Sequence, residues 1–136
     1  MSQDNIEIAH RVYDAFNRRD LDAFLAFMDP EVEFAVRLIE MQGSPALRGH
    51  DGIREWWRGL LAVFPDIKIE LLDVRDFGDS AITTVRIRGH GVDSGVPFDE
   101  RMWHAIKVRD GKATWWQTVG SEAEAVEALE AAGLRE

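Results

Sequence analysis

The spacing of apolar residues changes along the chain from a helical pattern to a strand pattern. From Ser2 to Phe16, apolar side chains recur every three or four residues, as on one face of a helix, and Ser2 is a suitable N-terminal cap. Asp20 is the corresponding cap of a second helix, which Pro30 is expected to end because proline cannot continue a helix. The chain therefore begins with a pair of amphipathic helices.

Three further segments complete the first half of the chain. Residues 32–36 alternate apolar and polar side chains, which predicts a short strand. The glycine- and proline-containing stretch 40–48 predicts a loop. Apolar residues at helical spacing then predict a third helix over residues 50–64, which Pro65 should end.

From Ile67 onward the apolar positions alternate with a period of two, which is typical of strands. Turn residues divide this region into four strands, at about residues 67–77, 81–89, 98–108 and 113–119. Residues 121–124 form a capping box for a last helix, which Gly133 is expected to end. Helices followed by strands joined through tight turns predict an α+β fold with a mostly antiparallel sheet.

The strand over residues 98–108 carries two ionisable side chains on its apolar face. Phe98, Met102 and Ile106 alternate along that face, and Glu100 and His104 fall among them. Ionisable groups in such surroundings are unfavourable unless they are paired, solvated or used by the protein. In a small fold with a concave sheet, this combination indicates a pocket.

Composition narrows the choice of partner. The 136 residues are enough for one domain with a substantial core. The net charge of −9 argues against nucleic acid or an anionic membrane as the partner, since both favour a basic surface. No apolar run approaches the length of a membrane span, and the absence of cysteine makes a cytoplasmic location the expectation.

Four segments, taken together and in order, resemble the nuclear transport factor 2-like superfamily. They are residues 13–22, 47–57, 108–112 and 128–134, and the similarity extends over essentially the whole chain. The superfamily includes SnoaL-like polyketide cyclases, ketosteroid isomerases and limonene epoxide hydrolases. The resemblance implies a single SnoaL-like domain over residues 1–136, cone-shaped, in which a curved sheet and the N-terminal helices enclose a cavity. The same fold hosts many unrelated chemistries, so it does not specify the function.

The catalytic residues of these relatives can be compared with this sequence position by position. By resemblance, Val12 stands where ketosteroid isomerases carry a tyrosine, and Val36 stands where they carry the aspartate base. Tyr13 is one residue off and is expected to point elsewhere. The isomerases' second, protonated aspartate corresponds to His104, and the final-strand aspartate of the epoxide hydrolases corresponds to Thr118. Steroid isomerisation and epoxide hydrolysis by those mechanisms are therefore disfavoured.

His104 is the candidate catalytic residue, because a histidine near neutral pH can act as an acid, a base or a hydrogen-bond donor. The alternative is a buried neutral histidine satisfied by a core hydroxyl, such as that of Thr118 or Thr83. Glu100 lies four residues earlier on the same face, roughly 13 Å away at the rise of a strand. It is either a ligand contact or a rim carboxylate paired with an arginine.

The side chains expected around the cavity are mainly apolar, and the alternative for the apolar ones is that they belong only to the core. The sequence contains no close histidine spacing, phosphate loop or dinucleotide fingerprint, so neither a metal nor a cofactor is expected. The predicted ligand is a small hydrophobic molecule. The predicted ligand-binding residues are Val12, Phe16, Val36, Trp57, Glu100, Met102, Trp116 and Thr118.

The opposite face of the sheet carries Trp103 and Trp115 among arginines, a composition typical of an interface. Homodimers through this face are common in the superfamily, so the resemblance favours a homodimer. The alternative is that the loop over residues 40–48 or the C-terminal helix covers both indoles.

Two functions remain open at this point. The first is a small, cofactor-independent enzyme of the isomerase, cyclase or dehydratase type, which transfers protons on a hydrophobic ring or polyketide-like substrate. The second is a non-catalytic module that binds a small hydrophobic molecule or serves as a dimeric partner. His104 favours the first function, and the valines at positions 12 and 36 favour the second.

Overall fold

The computed structural model describes residues 2–35 and 47–134, and within these ranges it contains four helices and six strands. In chain order the elements are α1 Ser2–Asn17, α2 Leu21–Ala26, β1 Met28–Ala35, β2 Leu47–Arg48, α3 Gly49–Val63, β3 Lys68–Asp76, β4 Ser80–His90, β5 Pro97–Arg109, β6 Lys112–Val119 and α4 Glu122–Leu134.

The strands form one curved, unclosed sheet in the order β2-β1-β6-β5-β4-β3. The last four strands are antiparallel neighbours, so the predicted meander is confirmed. β2 is also antiparallel to β1, whereas β1 runs parallel to β6. The predicted α+β fold, with a mostly antiparallel sheet and a cone shape, is confirmed.

Each face of the sheet has its own hydrophobic cluster, because side chains alternate between the faces along every strand. On the inner face, α1, α2 and α3 pack against the sheet around fully buried residues such as Phe16, Ile53 and Val85. On the outer face, α4 covers a smaller cluster centred on Ile82 and Ala105. In the described parts of the chain, three helices therefore pack over the inner cluster and one helix covers the outer one.

The turn between α1 and α2 attaches these helices to the sheet. The side-chain amide of Asn17 donates to the Ile69 carbonyl and accepts from the Ile69 amide, as a neighbouring strand would. Arg19 has a positive φ of 61° and donates to the carbonyls of Pro65 and Ile67. These bonds explain why polar residues occupy the turn, and they set the position of α1 over β3.

Three predicted boundaries differ from those in the structure, and one predicted segment falls largely outside the described residues. Pro30 does not end a helix: α2 ends at Ala26, and Pro30 lies within β1, at the irregular part of its pairing with β6 where a missing amide is tolerated. Gly133 does not end α4, which continues to Leu134. The end of the predicted loop over residues 40–48 forms the strand β2 instead. The rest of that loop, and Val36, lie outside the described residues.

The predicted start of α4 is confirmed by its cap. Ser121 Oγ accepts a hydrogen bond from the amide of Glu124, and the Glu124 carboxylate accepts one from the amide of Gly120. These bonds satisfy amides that the first turn of a helix cannot pair. In the described part of the chain, no helix combines the length and the apolar character that crossing a membrane requires.

Candidate functional site

A cavity of about 520 Å³ lies between the inner face of the sheet and the helices. Its walls are mainly aromatic and aliphatic, which suits a small hydrophobic molecule. The lining residues come from α1, α2, α3, the connection between α3 and β3, every described strand except β2, and a glycine after β6. They are Tyr13, Phe24, Phe34, Trp56, Leu60, Phe64, Ile67, Ile69, Ile87, Phe98, Glu100, Arg101, Met102, His104, Trp116, Thr118 and Gly120.

Strand register brings three polar side chains together in this apolar space. His104 on β5 lies directly opposite Thr83 on β4 and directly opposite Thr118 on β6. Directly opposed residues in antiparallel strands point to the same face of a sheet. All three are buried, and they form a polar row across the inner face.

Tyr13 of α1 completes this row from the opposite wall. Its hydroxyl oxygen lies 2.6 Å from Nδ1 of His104 and 2.6 Å from Oγ1 of Thr83. The rings of Tyr13 and His104 are nearly parallel, with centroids 5.7 Å apart. The hydroxyl, the imidazole and the threonine therefore form one continuous hydrogen-bonded chain.

Burial controls the charge of this chain. Removal from water lowers the pKa of His104 from 6.5 to about 3, because the imidazolium form loses its hydration. The same effect raises the pKa of Tyr13 above its usual value of 10.0, although the hydrogen bond with Thr83 works against the rise. Both side chains are therefore uncharged at neutral pH.

The second ring nitrogen of His104 is available for a ligand. His104 makes its hydrogen bond through Nδ1, and Nε2 has no partner among residues 2–35 and 47–134. His104 also lines the cavity. Nε2 is therefore the ring nitrogen that can bond a molecule held there.

Aromatic rings surround His104 and shape the inner end of the cavity. The Trp116 ring lies 4.8 Å from the His104 ring, and the Phe34 ring lies 5.6 Å from that of Trp116. Trp56 continues this wall at 4.9 Å from Phe34. A flat apolar molecule bound here would therefore contact the faces and edges of these rings, next to Nε2 of His104.

A second part of the cavity lining is charged and exposed. Glu100 and Arg101 line the cavity there, and the rings of Phe64 and Phe98 lie 5.5 Å apart. Glu100 is exposed, and in the described chain it has no ion-pair or hydrogen-bond partner. The alternative in which Glu100 pairs with an arginine is therefore not seen.

Five of the nine residues predicted for ligand binding or catalysis line the cavity, and all five lie on strands. Glu100, Met102, His104, Trp116 and Thr118 all line it. Their roles in binding or catalysis stay predictions.

The predicted residues on the helices are placed differently. Phe16 and Trp57 are buried and pack against each other at 5.1 Å, away from the cavity. Trp56 takes the place on the cavity wall that had been expected of Trp57. Val12 is buried beside a separate hollow of about 40 Å³. Val36, as noted, lies outside the described residues.

The prediction that Tyr13 points away from the site is wrong. Tyr13 lines the cavity and bonds to His104, while Val12 does not reach the cavity. The sequence contained a usable signal, since a hydroxyl within the apolar stripe of a helix requires a buried partner. Thr83 and His104 are the matching polar residues on the inner face of the sheet.

The other histidines have separate positions. His10 is exposed on α1, His50 bonds the Met28 carbonyl through Nε2 at 2.9 Å, and His90 pairs with Asp66 at 2.8 Å. Across residues 2–35 and 47–134, no group of three or more histidine, aspartate or glutamate side chains is arranged to hold a metal ion.

The indoles predicted to form an interface lie on the outer face. Trp103 and Trp115 are half-buried and pack against the cluster that contains Ala105 and Ala125. Helix α4 therefore covers part of both side chains, as the alternative interpretation had it.

These features define an α+β protein with a nuclear transport factor 2-like, ketosteroid isomerase-like fold and a mainly apolar cavity between the sheet and the helices. The sequence profile of the SnoaL-like domain matches residues 9–116. The chain belongs to the SnoaL-like family. In a comparison with curated proteins, no sequence matched significantly.

Solved structures show the same fold in proteins of low sequence identity. TerC, co-crystallised with polyporic acid, is 24% identical, with a TM-score of 0.77 over 93% of this chain and 98% of that chain. A candidate SnoaL-like polyketide cyclase from Jannaschia sp. CCS1 is 18% identical, with a TM-score of 0.76 over 93% and 90%. A protein of ketosteroid isomerase-like fold from Catenulispora acidiphila DSM 44928, in complex with trimethylamine, is 16% identical, with a TM-score of 0.75 over 89% and 90%.

Proposed function

We propose that this protein is a cofactor-independent enzyme of the isomerase, cyclase or dehydratase type, which acts on a small hydrophobic ring or polyketide-like molecule. The observation that carries the proposal is His104, which lines a mainly apolar cavity of about 520 Å³ and whose Nε2 has no partner among the described residues. Neighbours of the same fold described as polyketide cyclases support the substrate class. His104 is the proposed catalytic residue, since it would contact the reacting atoms.

The proposed chemistry is proton transfer beside a carbonyl group. A solvent base takes the proton from the carbon next to the carbonyl, and the solvent later returns a proton to the same carbon. Between these two steps the neutral imidazole hydrogen-bonds to the carbonyl oxygen, on which negative charge develops. The dry aromatic wall formed by Phe34, Trp56 and Trp116 would strengthen that interaction by excluding water. Met102 and Thr118 would position the ligand, with Glu100 as a further contact.

Deuterium exchange tests this proposal without knowledge of the natural substrate. 2-Acetylnaphthalene is a flat aromatic ketone with exchangeable protons next to its carbonyl, and their exchange in D₂O is followed by NMR. The wild-type protein is expected to accelerate exchange roughly 10²-fold relative to His104→Ala. His10→Ala is the matched control, because His10 is exposed on α1 and should leave the rate unchanged. Binding without acceleration would overturn the catalytic proposal.

A non-catalytic binding module is the second candidate function. The low pKa of His104, about 3, makes this imidazole a poor base, and Glu100 is the only carboxylate lining the described cavity. The same exchange experiment separates the candidates, since a binding module would hold the ketone and leave its protons in place.

We also propose a homodimer through the outer face, because Trp103 and Trp115 are only half-buried within one chain. Light scattering of the wild type at tens of micromolar should give the mass of a dimer, and Trp103→Arg should shift it towards the monomer. Phe77→Arg is the control, since Phe77 is an exposed aromatic outside the cluster that includes Trp103. A wild-type monomer would contradict the proposal. A cytoplasmic location remains an expectation from composition.

A further inference from the structure

The hydrogen bonds from Thr83 through Tyr13 to His104 bear on which ring nitrogen of His104 carries a hydrogen. Thr83 and Tyr13 each carry one hydroxyl hydrogen, and neutral His104 carries one hydrogen on either Nδ1 or Nε2. The two contacts, Thr83 Oγ1 to Tyr13 Oη and Tyr13 Oη to His104 Nδ1, are both 2.6 Å long. Each contact uses one hydrogen and Tyr13 has only one to give, so the hydrogens can be arranged in three ways.

In two arrangements, His104 donates from Nδ1 to Tyr13. If Tyr13 then donates to Thr83, the hydrogen of the Thr83 hydroxyl needs a different acceptor, but Thr83 is 0% exposed and Oγ1 has no second hydrogen-bond partner among the described residues. If Thr83 donates to Tyr13 as well, the hydrogen of the buried Tyr13 hydroxyl has no acceptor among the same residues. A buried hydroxyl hydrogen without an acceptor disfavours either arrangement by roughly 5- to 150-fold.

In the third arrangement, Thr83 donates to Tyr13 and Tyr13 donates to Nδ1 of His104. Every buried hydroxyl hydrogen is then used. The remaining hydrogen is on Nε2, the nitrogen without a partner among the described residues, and His104 lines the cavity. Which ring nitrogen of a histidine is protonated is set by the bond that the other one makes.

We propose that Thr83, acting through Tyr13, fixes His104 as the tautomer with Nδ1 unprotonated and Nε2–H directed to the cavity. Thr83 and Tyr13 are then positioning residues, and His104 meets its ligand as a hydrogen-bond donor and not as a base. This inference deepens the proposed function and rests on it where it concerns the ligand: the group held at Nε2 must be an acceptor, such as a carbonyl oxygen.

The tautomer can be measured in the ligand-free protein. Long-range ¹H–¹⁵N NMR distinguishes a protonated from an unprotonated ring nitrogen. The wild type is expected to show His104 with Nδ1 unprotonated and Nε2 protonated throughout the neutral pH range. The double variant Tyr13→Phe with Thr83→Val removes both hydroxyls without leaving one unpaired, and it should show a mixture of the two tautomers.

Thr84→Val is the matched control, because it makes the same chemical change one residue along β4, where Thr84 pairs with Trp103 rather than His104. It should keep the wild-type tautomer. A wild-type spectrum with Nδ1 protonated would overturn the proposal. An unchanged single tautomer in a folded double variant would also overturn it, since the chain would then not set the tautomer.

A pair of isosteric probes tests the consequence for binding. 2-Acetylnaphthalene and 2-isopropenylnaphthalene differ by a carbonyl oxygen in place of a methylene group. Wild-type protein should bind the ketone about 5- to 10-fold more tightly, the usual value of one hydrogen bond, and the double variant should reduce that ratio. Equal affinities in the wild type would overturn the donor role. If neither probe bound while the tautomer was as expected, the proposed function would fail and the tautomer assignment would stand.

Discussion

The two faces of the sheet are built from the same strands but differ in what covers them. The inner face is enclosed by three helices and contains a cavity with a buried polar row. Among the described elements, α4 alone covers the outer face, and the two indoles of that face stay half-exposed. Along β5, His104 faces inward and Trp103 outward, so adjacent residues have opposite surroundings. Burial under the helices, and not the composition of the strand, therefore lowers the pKa of His104.

The largest expected difference between the faces is in the free energy of unfolding that is lost when an aromatic side chain is replaced by alanine. Phe16→Ala should lower the free energy of unfolding by about 3–5 kcal/mol, because Phe16 is 0% exposed and its loss leaves a cavity. Trp115→Ala on the outer face should lower it by roughly 1–2 kcal/mol, since the indole is only half-buried. Urea denaturation measures both values, and equal losses would contradict the comparison.

The next effect depends on pH. The pKa of His104 is about 3 in the folded protein and 6.5 as the reference value for an unfolded chain. Between these values the unfolded state binds a proton that the folded state does not, so stability is complete above about pH 6.5 and is lost as the pH falls towards 3. At about pH 4.5, wild type should have lost ~2–3 kcal/mol more than His104→Gln, each relative to neutral pH.

Denaturant titrations at several pH values give this difference between the two proteins. Thr84→Val removes no titratable group and should follow the wild type at each pH. Parallel curves for wild type and His104→Gln would mean that the enclosure of the inner face does not exclude the imidazolium form.

A smaller effect is expected within the polar row itself. Tyr13→Phe leaves the hydroxyl of Thr83 and Nδ1 of His104 without partners and should lower the free energy of unfolding by ~1–3 kcal/mol. Adding Thr83→Val should cost less than it does in wild type, because the partner is already missing. Additive losses in the double-mutant cycle would show that the two hydroxyls do not interact.

The smallest expected effect is on ligand affinity, when one negative charge is removed from either face. Glu100→Gln, on the cavity lining, should strengthen binding of 2-naphthoate by about two- to fivefold, because it removes a negative charge from a solvated position near the ligand. Asp99→Asn makes the same change on the neighbouring residue, which pairs with Arg86 at 2.7 Å. Calorimetric titration should show no gain for Asp99→Asn, and equal gains would place Glu100 outside the site.

The sequence specified the strands better than the helices. Period-two alternation placed Glu100, Met102 and His104 on one face correctly, since a strand has only two faces. A helix face is a continuous range of angles, so the sequence does not decide which of two neighbours, such as Trp56 and Trp57, faces the cavity. For the same reason Val12 was predicted to line the cavity, whereas its neighbour Tyr13 does. The contact of Tyr13 with Thr83 joins residues far apart in sequence, and no local pattern contains it.

The position of β1 in the sheet has a consequence for how the protein is made. Its register joins Glu33 to Trp115, so the first strand has its long-range partner only in the sixth. A growing chain therefore holds β1 unpaired on that edge until nearly all of the sequence has left the ribosome. The wall of the cavity formed by Phe34 and Trp116 can form only after β6 is made, and a chain truncated before β6 has α1, α2 and α3 but neither this wall nor α4.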